Sequence, residues 1–236
     1  LYIGVMKHFL KPGDTITVRF GDTRQGSPGV RVQTYCEKIF EFHVLVDAIA
    51  TYDYVALPQN PAIEIVPGPG ITWHALLPTI VRAETPFRFG IKVDDKWGNP
   101  SDRVTRKVHL KPSRAITGLP ETVELRDGTF GATFEGLTVA TPGDVMIDVT
   151  GEDGALVARS NPLRIVEKAA SQVHFWADTH GQSDETLGTN PARDYFLFGR
   201  DRAYLDVMSH QGNDFQITGQ FWRDLNTISA ELDEPD

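Results

Sequence analysis

A single cysteine, Cys36, occurs in the 236 residues, so no disulfide can close within the chain and the fold must rest on packing. One thiol says nothing about redox compartment. The sequence also lacks any run of about 18 apolar residues, which excludes a membrane-spanning helix as a reading of the chain. Basic residues are in deficit, 23 Lys and Arg against 32 Asp and Glu, for a formal net charge of −9. That balance argues against a nucleic-acid protein relying on phosphate contacts, which needs a basic surface. The opening, LYIGVMKHFLKPGD, has neither the basic region nor the clean apolar run of a signal peptide and starts as though inside a strand. It suggests a fragment or processed product of something longer.

What is present first is β pattern. Residues 1–70 carry short apolar runs between turns such as Lys11-Pro12-Gly13-Asp14. ITVRF alternates, with Ile16, Val18 and Phe20 on one face. FEFHVLVDA repeats the pattern with Phe40, Phe42, Val44 and Val46, leaving His43 on the opposite, solvated face. The Pro-rich stretch ending Pro67-Gly68-Pro69-Gly70 marks a boundary. Residues 71–168 then read as a second module, with strands in FRFGIKVDD, RKVHLKP, TVELRDG, TFGATFEGLTV, DVMIDVTGEDG and ALVARSNPLRIV. Turns arrive about every ten residues, the spacing of a β-sandwich. The turn Asp95-Lys96-Trp97-Gly98-Asn99-Pro100 resembles those of bacterial immunoglobulin-like and filamin-like modules. Trp97 with Trp73 and His74 would serve either as an aromatic platform for a sugar or peptide or, more simply, as packing groups.

The character changes at 171–236. Val173–Thr179 reads as a strand, Thr189 or Asn190 as the cap of a helix with Pro191 in its first turn, and Leu205–Met208 as a second strand. Ala192, Tyr195, Phe196, Gly199 and Ala203 fall at helical spacing on one stripe. Strand, helix and strand in that order imply a parallel sheet. A last helix from Thr218 carries Phe221, Trp222, Leu225 and Ile228, followed by an acidic end expected to be solvated. The whole is mostly β: two β-sandwich-like modules, then the start of an α/β unit.

Chemistry gathers at the ends of the two late strands. A period of two puts His174, Trp176, Asp178 and His180 on one side of the first, and Asp206, Met208 and His210 on one side of the second. Asp214 lies just beyond. Ligands in parallel α/β folds collect outside the carboxyl ends of the strands, and imidazole with carboxylate suits Zn, Mn or Fe.

The motif Asp178-Thr179-His180-Gly181-Gln182-Ser183 resembles the first motif of the polymerase and histidinol phosphatase (PHP) superfamily, usually Asp-Leu-His-x-His-Ser/Thr. LDVMSH, Leu205 to His210, resembles its second. The run from His174 to Phe215 is similar to an uncharacterised bacterial branch of that superfamily in which β-rich modules precede the barrel. The resemblance implies a distorted (β/α) barrel, divalent metal ions that activate a water, and an ester substrate of small size, possibly phosphorylated. It implies His180 and His210 as metal ligands and Asp178 as a carboxylate supporting the ligand histidine. Gln182 stands in the metal position usually held by a second histidine. Val207-Met208-Ser209 lacks the usual acid, for which Asp206 and Asp214 would substitute in part. Such a barrel needs about 250 residues, so a second chain or a further C-terminal part is expected to complete it. The compartment would be the bacterial cytoplasm or the periplasm. The competing expectation is an extracytoplasmic binding module whose β-domains recognise a carbohydrate or protein beside a degenerate barrel. A third is an acyl or sulfate ester hydrolase using the same metals.

Overall fold

The computed structural model describes residues 2–7, 9–171 and 173–233. The chain divides into one unit ending at Thr34 and another beginning at Tyr35. The first unit holds no helix or strand among its described residues. The Lys11-Pro12-Gly13-Asp14 turn forms as expected, closed by a bond from Asp14 N–H to the Lys11 carbonyl at 2.9 Å. ITVRF, however, is not a strand, and Ile16, Val18 and Phe20 are all exposed. Alternation alone does not make a strand: it needs a neighbouring ladder for the backbone groups and a facing layer for the apolar side.

In the second unit, β1 (Glu37–Glu41), β2 (Leu45–Val46), β3 (Val55–Ala56) and β4 (Ala62–Ile65) make two small antiparallel pairs, β1 with β4 and β2 with β3. Phe40, Phe42 and Val44 are half-buried as the alternation predicts, while Val46 is exposed. His43 is solvated, with Asn60 Nδ2 at 3.3 Å and Glu41 Oε2 at 4.0 Å from its Nδ1.

The strands that follow are β5 (Thr72–Leu76), β6 (Ile80–Arg82), β7 (Phe87–Asp94), β8 (Arg106–Pro112), β9 (Thr122–Leu125), β10 (Gly131–Leu137), β11 (Gly143–Val145), β12 (Ile147–Gly151), β13 (Leu156–Arg159) and β14 (Leu163–Val166). They form sheets in the orders β10-β7-β5, β13-β12-β8-β9 and β11-β14-β6. All the pairings are antiparallel except β14 with β6. The alternating apolar positions of every sheet meet in one core: Phe89, Ile91 and Val93 from β7, Val108 from β8, Ile147 and Val149 from β12, Leu163 from β14. This is a β-sandwich. Trp73 packs against the core rather than lying open, and His74 pairs with Asp94 at 3.0 Å. Trp97 is exposed in its turn, with Lys96 Nζ 4.9 Å from the ring centre.

That turn is organised by Asp95, buried to 4% exposure, whose carboxylate accepts the N–H groups of Trp97, Asn99 and Gly68. Burial works to raise its pKa, but these bonds and the Asn99 side chain hold it below the usual carboxylate range. The bond to Gly68 fastens the Pro-rich boundary onto the sandwich.

Beyond the sandwich come β15 (Ala177–Gly181), the helix α1 (Ala192–Phe198) continued by a π-helical turn over Gly199–Ala203, β16 (Val207–His210) and α2 (Gly219–Leu232). β15 and β16 are parallel, as the strand, helix, strand order predicts. Both strands lie later than the hydrophobic pattern suggests, so His210 is the last residue of β16, paired with Gly181, and His180 falls inside β15 at the bulge between Asp178 and Gly181. Ala192, Phe196 and Gly199 are buried, but Ala203 is exposed. The π turn widens the helix and rotates Ala203 off the stripe. On α2 the buried face is Phe221 and Leu225, with Ile228 and Leu232 packed alongside, and Trp222 is exposed. Trp222 sits about 100° round the helix from Phe221, outside an i, i+4 stripe. The acidic end reaches solvent at Glu231 and Asp233, and its last residues, 234–236, lie outside the described ones.

The β-α-β unit is docked onto the sandwich by side chains. Arg88 donates to the carbonyls of Leu205 at 2.7 Å and Arg200 at 3.3 Å, and the Trp176 indole N–H donates to Thr79 Oγ1 at 2.7 Å. Tyr204, held at φ 58° where the π turn ends, lays its ring over Gly90 in β7. A Cβ at Gly90 would fall 2.0 Å from that ring. Gly90→Val is therefore expected to expel Tyr204 and release the unit, at a cost of about 1–3 kcal/mol. Faster proteolytic cleavage between residues 167 and 176, with the sandwich still folded, is the readout.

Candidate functional site

Two loops and two strand ends build the site. After Gly181 the chain turns through Gln182–Asn190, and the carbonyl of Ser183 accepts the N–H groups of Thr186 at 2.9 Å and Gly188 at 2.7 Å. After His210 the loop through Asn213 closes on the first: Gln216 Nε2 donates to the Thr186 carbonyl at 3.1 Å. α1 lies across both strands. Its Tyr195 ring occupies the space above Gly181, where a Cβ would meet it at 1.9 Å, and its hydroxyl donates to the Ser209 carbonyl at 3.1 Å. Only glycine at 181 allows strand and helix to approach this closely.

His210 is held in this pocket. Its ring meets Phe221 edge-on at 5.4 Å and Tyr195 at 6.1 Å between centres. Nε2 is 2.8 Å from Ser183 Oγ, and Nδ1 is buried with no hydrogen-bond partner among the described residues. Burial lowers the imidazole pKa, opposed by the charge of Glu185, which favours the neutral, metal-competent ring. Ser183 is fully buried, so its pairing with a histidine does not expose a nucleophile.

Gln182 adds a second orphan. Its Oε1 is buried and unpartnered among the described residues. A buried carbonyl oxygen and a buried ring nitrogen without partners each cost free energy unless something donates to them or coordinates them. Both sit just beyond or at the ends of the parallel strands.

The other expected residues are placed differently. His180 is exposed; a bulge between Asp178 and Gly181 breaks the period of two, so the simple alternation that aligned it with Asp178 does not carry through. Asp178 does not accept from the His180 ring. Its Oδ1 takes the His180 backbone N–H at 3.0 Å, fixing the bulge, and its charge, after burial, helps raise the Tyr195 pKa. Asp214 is in an exposed turn and bonds to neither imidazole among the described residues. Asp206 is committed elsewhere: Oδ2 accepts the Trp176 N–H at 2.8 Å and Oδ1 lies 3.8 Å from Arg88. It stands four positions before His210, roughly 13 Å along an extended strand. Among the described residues no three His, Cys, Asp or Glu side chains gather at metal-ligand spacing.

The expected caps also move. Pro191 is the N-cap of α1 and offers no side-chain cap of its own; the Ala192 N–H instead goes to the Glu185 carboxylate at 3.2 and 3.3 Å. Asn190 instead accepts the Lys38 N–H at 3.2 Å. Burial alone would raise Glu185, but hydrogen bonds led by that from Ser183 bring it below its usual range. Its neighbour Asp184 is pushed up to about 6 by burial and then by the bond it shares with Glu185. Ser183 and Glu185 were not singled out in the sequence. The signal was the Ser ending the first motif and an acid placed to meet the start of the next helix.

An imidazole nitrogen and an amide oxygen are each atoms of a kind that ligates divalent cations. The exposed His180 imidazole is the third side chain available at the same strand ends.

No protein-family model matches the sequence, and no curated protein matches it. Among solved structures, the D00-D0 domain of Intimin is 14% identical, with a TM-score of 0.32 over 58% of this chain and 88% of that one. The D0-D1 domain of Intimin is 14% identical, with a TM-score of 0.31 over 50% of this chain and 58% of that one. A likeness this loose carries neither fold nor function across. On its own strands the chain is mostly β, a β-sandwich followed by a parallel β-α-β unit docked on it.

Proposed function

We propose that the β-α-β unit is the opening of a PHP-type metal-dependent hydrolase, with a small ester, possibly phosphorylated, as substrate. The observation that carries this reading is the pair of buried, unpartnered acceptors, His210 Nδ1 and Gln182 Oε1, at the carboxyl ends of paired parallel strands. When bound, a divalent metal (Zn, Mn or Fe) supplies Lewis acidity and a water acidic enough to react near neutral pH. His210 and His180 would hold it, with Gln182 as a weaker oxygen ligand in place of the usual histidine. Phe221 and Tyr195 fix the His210 ring and keep water from its inner edge. Asp178 supports His180 through its backbone. Asp214 is the acid left free in the adjacent turn to hold or pass a proton. Ligands beyond these would come from further chain or from a second polypeptide.

The test is hydrolysis by the metal-supplemented protein of an aryl phosphate monoester, a phosphodiester, a sulfate ester and an acyl ester. Phosphate ester turnover that chelation abolishes is the expected result. Acyl or sulfate turnover alone would move the substrate class, and no turnover of any ester would remove the hydrolase.

A binding module is the second reading, favoured by one observation: among the described residues of the second unit the extensive buried core is that of the sandwich, and its turn presents Trp97 beside Lys96. Retention of the protein on a glycan array, lost in Trp97→Ala and indifferent to chelation, would support it.

A further inference from the structure

We propose that Lys38 is a latch through which the β1–β4 ribbon holds the loop and helix start that position the candidate site. The latch is independent of the hydrolase reading: it holds the loop whether or not a metal binds.

The ribbon reaches the site through a fault in its own pairing. β1 and β4 lose register between Glu37 and Phe40, and an irregularity of this kind leaves a residue outside the ladder and re-aims it. Lys38 lies in that gap. Its backbone N–H donates to Asn190 Oδ1 at 3.2 Å, and its ammonium lies 2.6 Å from Asp194 Oδ2. The second contact is one of charge rather than an aligned hydrogen bond, because that oxygen has no partner at hydrogen-bonding angles among the described residues. Lys38 therefore grips the chain on both sides of the junction where loop becomes helix. Asn190 closes the loop after β15, its carbonyl accepting the Asp184 N–H at 2.9 Å, and Asp194 stands in the first turn of α1.

What the latch holds is what faces His210. The loop carries Ser183, whose Oγ is 2.8 Å from His210 Nε2. One residue past Asp194, Tyr195 packs over Gly181 and meets the His210 ring edge-on. The other end of the ribbon is fastened to the sandwich, where the Gly68 N–H donates to Asp95 at 3.0 Å and the Gly68 carbonyl accepts from Ser101 Oγ at 2.6 Å. The ribbon is a strap with one end on the sandwich and the other on the site loop. An exposed ion pair alone contributes little, since two flexible side chains must be held in one geometry. Here the Asn190 bond fixes the Lys38 backbone, and Asp194 is already largely covered on a helix, so less freedom is lost when the charges meet.

The experiment is hydrogen–deuterium exchange of the full chain, read by mass spectrometry on peptides from residues 182–196, with a peptide over β7 as the reference. Lys38→Asp, which sets like charges against each other, is expected to quicken exchange in 182–196 by about 3–10-fold and leave β7 unchanged. Lys38→Arg, which keeps the charge and the backbone N–H, is expected to exchange as the wild type does. The exchanged pair, Lys38→Asp with Asp194→Lys, is expected to restore the wild-type rates. On the same proteins with ¹⁵N-labelled histidine, the His210 imidazole signals, assigned by their loss in His210→Gln, are expected to shift in Lys38→Asp and to return in the exchanged pair. Loop exchange in Lys38→Asp equal to that of the wild type overturns the latch. Quickened exchange that the exchanged pair does not reverse overturns it as well, because the effect then does not come from the contact with Asp194. Quickened, reversible exchange with His210 signals that never move overturns its reach into the site.

Discussion

Zinc affinity is expected to fall by more than about 100-fold in His210→Ala, beyond what loss of a merely supporting residue costs. In the proposed metal centre this residue would be the best-placed donor, since its Nδ1 is buried with no hydrogen-bond partner among the described residues. Its removal also takes packing from Tyr195 and Phe221, so a fold-preserving comparison is needed. His180→Ala supplies it. That ring is exposed, and a surface substitution there costs within about 0.5 kcal/mol. Isothermal titration of both variants, with far-UV circular dichroism as control, is the measurement. Weak binding in His210→Ala with the fold intact, and a smaller but clear loss in His180→Ala, is the predicted pattern.

Phe89→Ala is expected to lower stability by about 3–5 kcal/mol, enough to unfold a marginal domain. Phe89 is fully buried on β7 and stacks on Phe134, with centres 6.1 Å apart and planes inclined by 17°. It lies at the middle of the core to which every sheet of the sandwich contributes. One residue along the same strand, Gly90 receives Tyr204, so loss of Phe89 is also expected to loosen the docking of the β-α-β unit. Urea unfolding followed by tryptophan fluorescence gives the size of the effect. Phe134→Ala, at a half-exposed position, should cost distinctly less.

Most of the sandwich was legible because its strands alternate cleanly and its turns carry glycine, proline and aspartate at regular intervals. FRFGIKVDD reads as β7 almost to the residue. β5 and β6 were harder: TWHAL and IVR are short and flanked by prolines, and only their neighbours in the sheet make them strands. ITVRF failed for the opposite reason, a good local pattern with no sheet to join. In the β-α-β unit the order of elements was readable. The bulge at β15 was not, since nothing in Asp178-Thr179-His180 distinguishes a bulged pair from a regular one. Nor were the docking contacts, because Arg88, Gly90 and Tyr204 lie far apart in the chain and gain meaning only when the strands bring them together. The buried pair of Ser183 and His210 is of the same kind: 27 residues apart in sequence, joined across parallel strands.

The most direct test of the metal centre is an anomalous difference map from crystals of the protein soaked in zinc and measured on both sides of the zinc edge. The account predicts a peak at ligand distance from the His210 imidazole, beside the ends of β15 and β16, that disappears in the His180→Ala, His210→Ala double variant. Zinc-saturated crystals with no peak beside His210 would contradict it.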